Sequence, residues 1–190
     1  MPQLDSDSFA YSNGNLASVS SGKWTDLSSV NPLTVTSNKV SGSVEAMGVI
    51  TTWSGSTTDQ YAQVTLDTVG VDGTGPTVRS NAVYTCYLLV CKLSGNDTKI
   101  FRVVGGTYTQ LSAADVAWAT GDVAYLEIQG SQLLVKRNGS TQSALTVTDG
   151  SPIVSGKPGA NAVTDTISAW AAGDFGGATP FVMQLGYQRM

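Results

Sequence analysis

Short stretches in which apolar and polar side chains alternate recur along the whole chain. In residues 61–66, Ala62, Val64 and Leu66 fall on one side and polar or aromatic side chains on the other, and residues 122–129 repeat the pattern. A period of two residues is that of a β-strand with one buried face. Turn-forming residues separate these stretches about every 8 to 12 residues. The pattern predicts an all-β fold, a two-sheet antiparallel β-sandwich of the jelly-roll type.

Several local signals place particular elements in this sandwich. Residues 84–93 are apolar on both faces, as expected for a central strand. Asn138-Gly139 predicts a type I′ hairpin turn, because both central positions of that turn need a positive φ. Residues 112–118 are the one candidate for a short helical turn, and residues 181–187 are predicted to form the last strand.

The chain has 190 residues without a linker or an internal repeat, so residues 1–190 are predicted to form a single domain. The net charge is −4, and the ten Lys and Arg residues are scattered, which argues against nucleic acid as a partner. No apolar stretch approaches the roughly 20 residues that span a bilayer, so no membrane insertion is expected.

The two cysteines, Cys86 and Cys91, lie five residues apart in one predicted strand. An odd separation puts them on opposite faces, roughly 16 Å apart along the strand, so they cannot pair with each other. Free buried thiols and intermolecular bridges both remain open.

Several segments, taken together and in order, resemble the concanavalin A-like lectin/glucanase superfamily, in its laminin-G-like branch. They are Asp7 to Phe9 with Gly14, Leu16 and Trp24, then residues 38–42, the strand from Tyr84 followed by 99–104, residues 121–130 with 133–139, residues 156–159, and residues 167–170. The resemblance, which extends to domains found in bacteriophage virion proteins, implies a jelly roll with a concave and a convex sheet. It also implies that carbohydrate is a common ligand, although this fold carries enzymes, lectins and structural modules alike.

Catalytic groups are scarce. The chain has no histidine, which excludes Ser-His-Asp and Cys-His arrangements and the usual zinc sites. Glycoside hydrolysis normally needs two carboxylates about 5 to 10 Å apart. Glu45 has no acidic neighbour, and Glu127 has only Asp122, five residues away on the opposite face. We therefore expect no enzyme.

Calcium is the one metal that the resemblance brings in, and no other cofactor is expected. Asp5, Asp7, Asp165 and Asp174 lie near the two termini, which tend to meet in this fold, and could supply oxygen ligands. The alternative, which we favour, is that these carboxylates cap turns or face solvent.

Carbohydrate sites usually combine an exposed aromatic ring with polar groups at its edge. Trp53 with Asp59 is the best local candidate, and Tyr61, Arg79 and Tyr84 could lie nearby on the same face. The alternative is that Trp53 packs under its loop and Tyr84 in the core. The other three tryptophans, Trp24, Trp118 and Trp170, are predicted to be core or loop anchors.

Our functional hypothesis is a non-catalytic structural or decorating virion protein that binds surface glycans. It rests on a first residue Met without signal-peptide character, on the sandwich, and on the lack of catalytic groups. The expected partners are further copies of the chain or capsid proteins, together with polysaccharide, and the expected location is the virion. A free, extracellular carbohydrate-binding module or lectin is the alternative, followed by a divergent glycosidase or lyase.

Overall fold

The structure is a computed structural model that describes residues 3–27, 31–43, 46–82, 84–93, 95 and 97–175. It is an antiparallel β-sandwich of two sheets, which confirms the predicted fold class. The strand predicted at 181–187 lies outside the described residues, as does Glu45.

In chain order the strands are β1 (Gln3–Asp7), β2 (Gly14–Asn15), β3 (Trp24–Asp26), β4 (Thr34–Thr36), β5 (Lys39–Ser41), β6 (Ala46–Ile50), β7 (Gln60–Leu66), β8 (Thr74–Ala82), β9 (Thr85–Val90), β10 (Thr98–Val104), β11 (Thr107–Ala114), β12 (Val123–Gln129), β13 (Gln132–Arg137), β14 (Ser140–Thr141), β15 (Val147–Thr148), β16 (Lys157–Ala162) and β17 (Ile167–Asp174). A one-turn helix, α1 (Leu16–Val19), and a 3₁₀ turn at Ser143–Leu145 accompany them.

The larger sheet has the order β14-β13-β12-β7-β17-β5-β4-β2, with β1 added on β17 and β15 on β13. The smaller sheet has the order β11-β10-β9-β8-β16-β6-β3. Neighbours such as β7 and β17, or β6 and β16, are far apart in the sequence. The positions that face the same surface therefore come from distant segments.

The core lies between the two sheets and follows the predicted alternation. Ala62, Val64 and Leu66 are fully buried on the inner face of β7, as the sequence pattern predicts. Trp24 and Trp170 meet edge to face with ring centroids 5.0 Å apart in the same core. Trp118 is buried there too, so all three tryptophans predicted as anchors are confirmed.

Strand β9 contributes to a second apolar cluster, on the outer face of the smaller sheet. Cys91 belongs to the core between the sheets, whereas Cys86 belongs to the outer cluster with Met47, Leu88 and Val90. Both cysteines are buried and free within the chain. They lie on opposite faces of the sheet, as predicted. This outer cluster gives the smaller sheet an apolar surface on the side away from the core.

Two local predictions have opposite outcomes. Asn138 and Gly139 have φ of 50° and 81° between paired β13 and β14, which confirms the hairpin. The predicted helical turn at 112–118 is wrong, because these residues begin inside β11, where Ser112 pairs with Ile100. Pairing with β10 outweighs the weak local preference of these residues for a helical turn. No helix in the described ranges is long and apolar enough to cross a membrane.

Candidate functional site

The apolar outer face of the smaller sheet holds a groove of about 310 Å³, which we call the face groove. Met47, Leu88 and Val90 form its floor. Phe101 and Tyr108 form an aromatic wall, with ring centroids 5.7 Å apart and planes at 81°. Both rings are half-buried, so part of each remains open to solvent.

The register of the strands explains how the wall stands beside the floor. Phe101 lies opposite Leu88 in the β9–β10 pair, and Tyr108 lies opposite Val103 in the β10–β11 pair. Residues that are directly opposite in an antiparallel pair point to the same side. The two rings therefore stand on the same side of the sheet as Leu88 and Val103.

Polar side chains border this apolar surface, namely Asp72, Lys92, Lys99 and Asn161. Asn161 is only 3% exposed, and its Oδ1 has no hydrogen-bond partner. Its backbone carbonyl, in contrast, accepts a 2.7 Å hydrogen bond from Thr74 Oγ1. A buried acceptor without a donor costs about 1–3 kcal/mol, so this amide is an exception that needs a reason.

A second cavity of about 380 Å³ lies on the same face. Its lining includes Val49, Thr51, Ser80 and Lys157. Met47 lines the face groove, and Val49, the next outward residue of β6, lines the second cavity. The two hollows therefore lie end to end along β6.

The structure does not give Trp53 the exposed ring that a sugar platform requires. Its side chain is 8% exposed within the core, and its Nε1 donates to the carbonyl of Ser56 at 3.0 Å. The polar residues that follow Trp53 made it look exposed in the sequence. The loop instead folds back over the indole, as the alternative interpretation had it.

Arg79 is only 2% exposed and serves as an internal clamp. Its guanidinium donates to the carbonyls of Thr58 and Ile153, each at 2.6 Å, and lies 3.4 Å from an oxygen of Asp59. Asp59 also accepts from the backbone of Gly130 at 2.8 Å. Arg79 and Asp59, both predicted to contact a sugar, therefore hold loops together through these bonds.

Tyr61 and Tyr84 lie on different sheets, so the five residues predicted as a carbohydrate site do not form one site. Tyr61 is on the outer face of the larger sheet, stacked on Tyr125 with centroids 4.9 Å apart. Tyr84 packs against the outer cluster of the smaller sheet. A shallow hollow of about 260 Å³, bordered by Gln63, lies on the face of Tyr61.

Asp7, Asp165 and Asp174, three of the four carboxylates considered as calcium ligands, do not come together. Asp165 precedes β17 and Asp174 ends it, so nine residues of nearly extended chain, about 30 Å, separate them. Asp7 accepts from Trp24 Nε1 at 2.7 Å, Asp165 from a backbone amide, and Asp174 from the amide of Ser56 at 2.6 Å. The described residues contain no group of three or more His, Cys, Asp or Glu side chains that could hold a metal ion.

Two of the carboxylates considered for catalysis, Glu127 and Asp122, are also engaged elsewhere. Glu127 accepts from Tyr125 Oη at 2.7 Å and from Lys136 Nζ at 3.1 Å. Burial tends to raise the pKa of Asp122, but hydrogen bonds from Arg137, Asn138 and a backbone amide outweigh it and leave the pKa lowered. Both groups stabilise the larger sheet and its hairpin.

The signal for the face groove was present in the sequence only in part. The two-faced apolar character of residues 84–93 indicated a strand with an apolar outer face. Nothing in the sequence placed Asn161 beside Met47, since that contact depends on the β6–β16 pairing.

No protein-family model matches the chain, and no curated protein matches it in sequence. Among solved structures, it is similar to the carbohydrate-binding module CBM66 from Bacillus subtilis, with a TM-score of 0.60 at 15% identity over 80% of this chain and 92% of that one. It is also similar to a xylan β-1,4-xylosidase from Bacillus halodurans C-125, with a TM-score of 0.50 at 12% identity, over 92% of this chain but 40% of that one. At these identities the likeness shows a shared β-sandwich fold.

Proposed function

We propose that this chain is a non-catalytic carbohydrate-binding module that holds a polysaccharide in the face groove. The observation that carries the proposal is the aromatic wall of Phe101 and Tyr108 beside the apolar floor of the groove. The fold shared with a Bacillus subtilis carbohydrate-binding module supports it.

The chemistry of the groove suits a sugar. A sugar ring presents C–H groups on its faces and hydroxyls at its edges, so it packs on aromatic rings while polar groups bind its rim. Phe101 and Tyr108 supply the rings, and Asp72, Lys92 and Lys99 supply polar groups at the border of the groove.

The length of the face suits a polymer. The face groove and the second cavity follow each other along β6, with volumes of about 310 and 380 Å³. Consecutive sugar units could therefore occupy them in turn.

Among the described residues, the lining of the groove lacks the pair of carboxylates that glycoside hydrolysis normally uses. Of the described residues that line the face groove, Asp72 alone carries a carboxylate, and it accepts a 2.7 Å hydrogen bond from Thr164 Oγ1. This supports binding without cleavage as the function.

A finer form of the proposal places the module on a virion, where it would decorate the particle and attach it to surface glycans. A free extracellular module fits the same fold equally well. Sedimentation of source material on a density gradient separates the two. Peptides that band with particles at a fixed copy ratio support the virion form, and peptides confined to soluble fractions overturn it.

The direct test of carbohydrate binding is affinity electrophoresis of the full chain through gels that contain single polysaccharides, neutral and acidic. We expect retardation by at least one polymer, and weaker retardation of Tyr108→Leu, which removes a ring from the wall. Leu4→Ala, on β1 of the larger sheet, is the matched control. Migration unaffected by every polymer, or equal retardation of the Tyr108 variant, would refute the proposal.

A further inference from the structure

The basic side chains of this protein are distributed unevenly between internal ion pairs and one surface. Nine of the ten Lys and Arg residues lie in the described ranges, and Arg189 lies outside them. Six of the nine form ion pairs with carboxylates: Lys23, Lys39, Arg79, Arg102, Lys136 and Arg137. Lys92, Lys99 and Lys157 have no such partner among the described residues.

All three unpaired lysines line the outer face of the smaller sheet. Lys92 and Lys99 border the face groove, and Lys157 borders the second cavity. Lys157 Nζ donates to the backbone carbonyl of Thr51 at 2.7 Å, which holds it in place without neutralising its charge. Among the described residues, the basic groups without an ion-pair partner are therefore gathered where the proposed ligand binds.

The two lysines of the face groove are close neighbours. Lys99 lies opposite Val90 in the β9–β10 pair, and Lys92 follows Val90 by two residues. Diagonal neighbours of this kind lie about 7–8 Å apart, within reach of one anionic group for two long side chains. Together they form a basic corner at the end of the aromatic wall.

This local charge is opposite to that of the whole molecule. The chain carries a net charge of −4, yet the described lining of the two cavities holds three lysines and one carboxylate, Asp72. Uncompensated like charges repel one another, and an anion between them relieves that repulsion.

We infer that the ligand of this face is an acidic polysaccharide, one whose sugar units carry carboxylate groups. Its carboxylate binds between Lys92 and Lys99, and a ring face packs on Phe101 and Tyr108. The inference rests on the proposed carbohydrate-binding function and names its ligand class.

Nucleic acid is the other polymer with regular negative charge. Domains that bind it are typically basic as a whole, whereas this chain has a sequence pI of about 4.5. The observations therefore favour the acidic glycan.

The test compares polymers that differ only in charge. Polygalacturonate, alginate and hyaluronan are each titrated against the full chain by calorimetry, beside the same polymer with its carboxyl groups reduced to alcohols. We expect at least one acidic polymer to bind about tenfold or more tightly than its reduced form, since a charge-assisted hydrogen bond is stronger than a neutral one. Added salt should weaken the acidic interaction.

Variants assign the effect to the face. Lys92→Gln and Lys99→Gln should each weaken binding of the acidic polymer about tenfold and leave binding of the reduced polymer unchanged. Lys39→Gln removes the same charge from the larger sheet, where Lys39 pairs with Asp67 at 3.0 Å, and should have no effect.

Each remaining outcome is decisive. Equal affinity for acidic and reduced polymers, or unchanged binding by both lysine variants, overturns the acidic ligand and leaves carbohydrate binding intact. Failure to bind any polysaccharide, neutral ones included, overturns both proposals. Tighter binding to an oligothymidylate than to every polysaccharide would identify nucleic acid, and not a glycan, as the ligand.

Discussion

Asn161 lies directly opposite Met47 in the antiparallel pair of β16 and β6, so an amide without a hydrogen-bond donor for its oxygen stands beside the apolar floor of the face groove. On its other side, Asn161 pairs with Gly75 of β8, which has no side chain to cover it. A polar group kept unpaired at such a position is more costly than an apolar one of similar size.

Replacing this amide should separate binding from stability. We expect Asn161→Leu to leave the free energy of unfolding unchanged or raised by up to about 1 kcal/mol, because an unpaired buried acceptor is removed. Polysaccharide binding should be unchanged, because this oxygen is enclosed and lies out of reach of a ligand. Urea unfolding and affinity electrophoresis measure the two effects. A large loss of stability would show that the amide has a structural role.

The aromatic wall on the smaller sheet and the stacked Tyr61 and Tyr125 on the larger sheet are two alternative platforms for a sugar ring. Phe101→Leu should weaken polysaccharide binding about threefold to tenfold, since an aromatic contact contributes about 0.5–1.5 kcal/mol beyond its buried area. Tyr61→Leu, on the opposite face of the sandwich, should not change binding. Side-by-side titrations decide between the faces, and the reverse ranking would move the site to the larger sheet.

Arg79 should be important for stability and not for binding. Arg79→Met leaves the carbonyls of Thr58 and Ile153 without their donor, so we expect a loss of about 3–5 kcal/mol in the free energy of unfolding. Its ion-pair partner Asp59 has a side chain 46% exposed, and Asp59→Asn should cost less than about 1 kcal/mol. Equal costs would contradict the clamp.

Asp149 should link stability to pH. Burial alone would raise its pKa, but donors from Ser151, Tyr87 and Arg102 outweigh burial and hold the pKa below its usual value. Because the folded state then binds this proton more weakly than the unfolded state, the stabilisation is complete above the ordinary Asp pKa of about 3.9. It is lost as pH falls through the lowered pKa of the folded state.

A variant without the Asp149 carboxylate tests the direction of this pH dependence. Asp149→Asn should lower the free energy of unfolding at neutral pH by about 1–3 kcal/mol, and the difference from the parent should shrink below about pH 4. Denaturant titrations at several pH values give both quantities. Asp97→Asn, at an exposed position, is the control, and a difference that stays constant with pH would exclude the linkage.

Both thiols should be unreactive toward thiol reagents in the native protein. Cys86 and Cys91 are fully buried, and burial raises the pKa of Cys86 to about 12, so neither presents a reactive thiolate. A chromogenic disulfide reagent should detect no thiol in the folded chain and two after denaturation. Rapid reaction without denaturant, or fewer than two thiols afterwards, would show exposure or bridging.

Sequence patterns succeeded wherever the relevant physics is local. Alternation placed Ala62, Val64 and Leu66 in the core, and the odd spacing of the two cysteines put them on opposite faces. Asn138-Gly139 specified its own turn because its backbone tolerates positive φ. The helical turn predicted near Ser112 failed because a weak local preference competed with pairing across strands.

The site was harder to predict, because its residues meet only in the folded sheet. Trp53 and Asp59 were chosen as a sugar site because they lie close together in a polar segment of the sequence. In the structure, that segment closes over the indole of Trp53. Asn161, Met47 and Phe101 come from three strands that are distant in the sequence, so no local motif could predict that they meet.

The sequence by itself determined that this chain forms a β-sandwich, where many of its strands run, and which side chains share a face of a strand. These follow from the two-residue period and from turn chemistry, which act over a few residues. Only the tertiary structure decided which strands become neighbours, which polar groups find partners, and which lysines stay unpaired on one surface. Strand order depends on the burial of all the strands at once, and the position of the groove follows from that order.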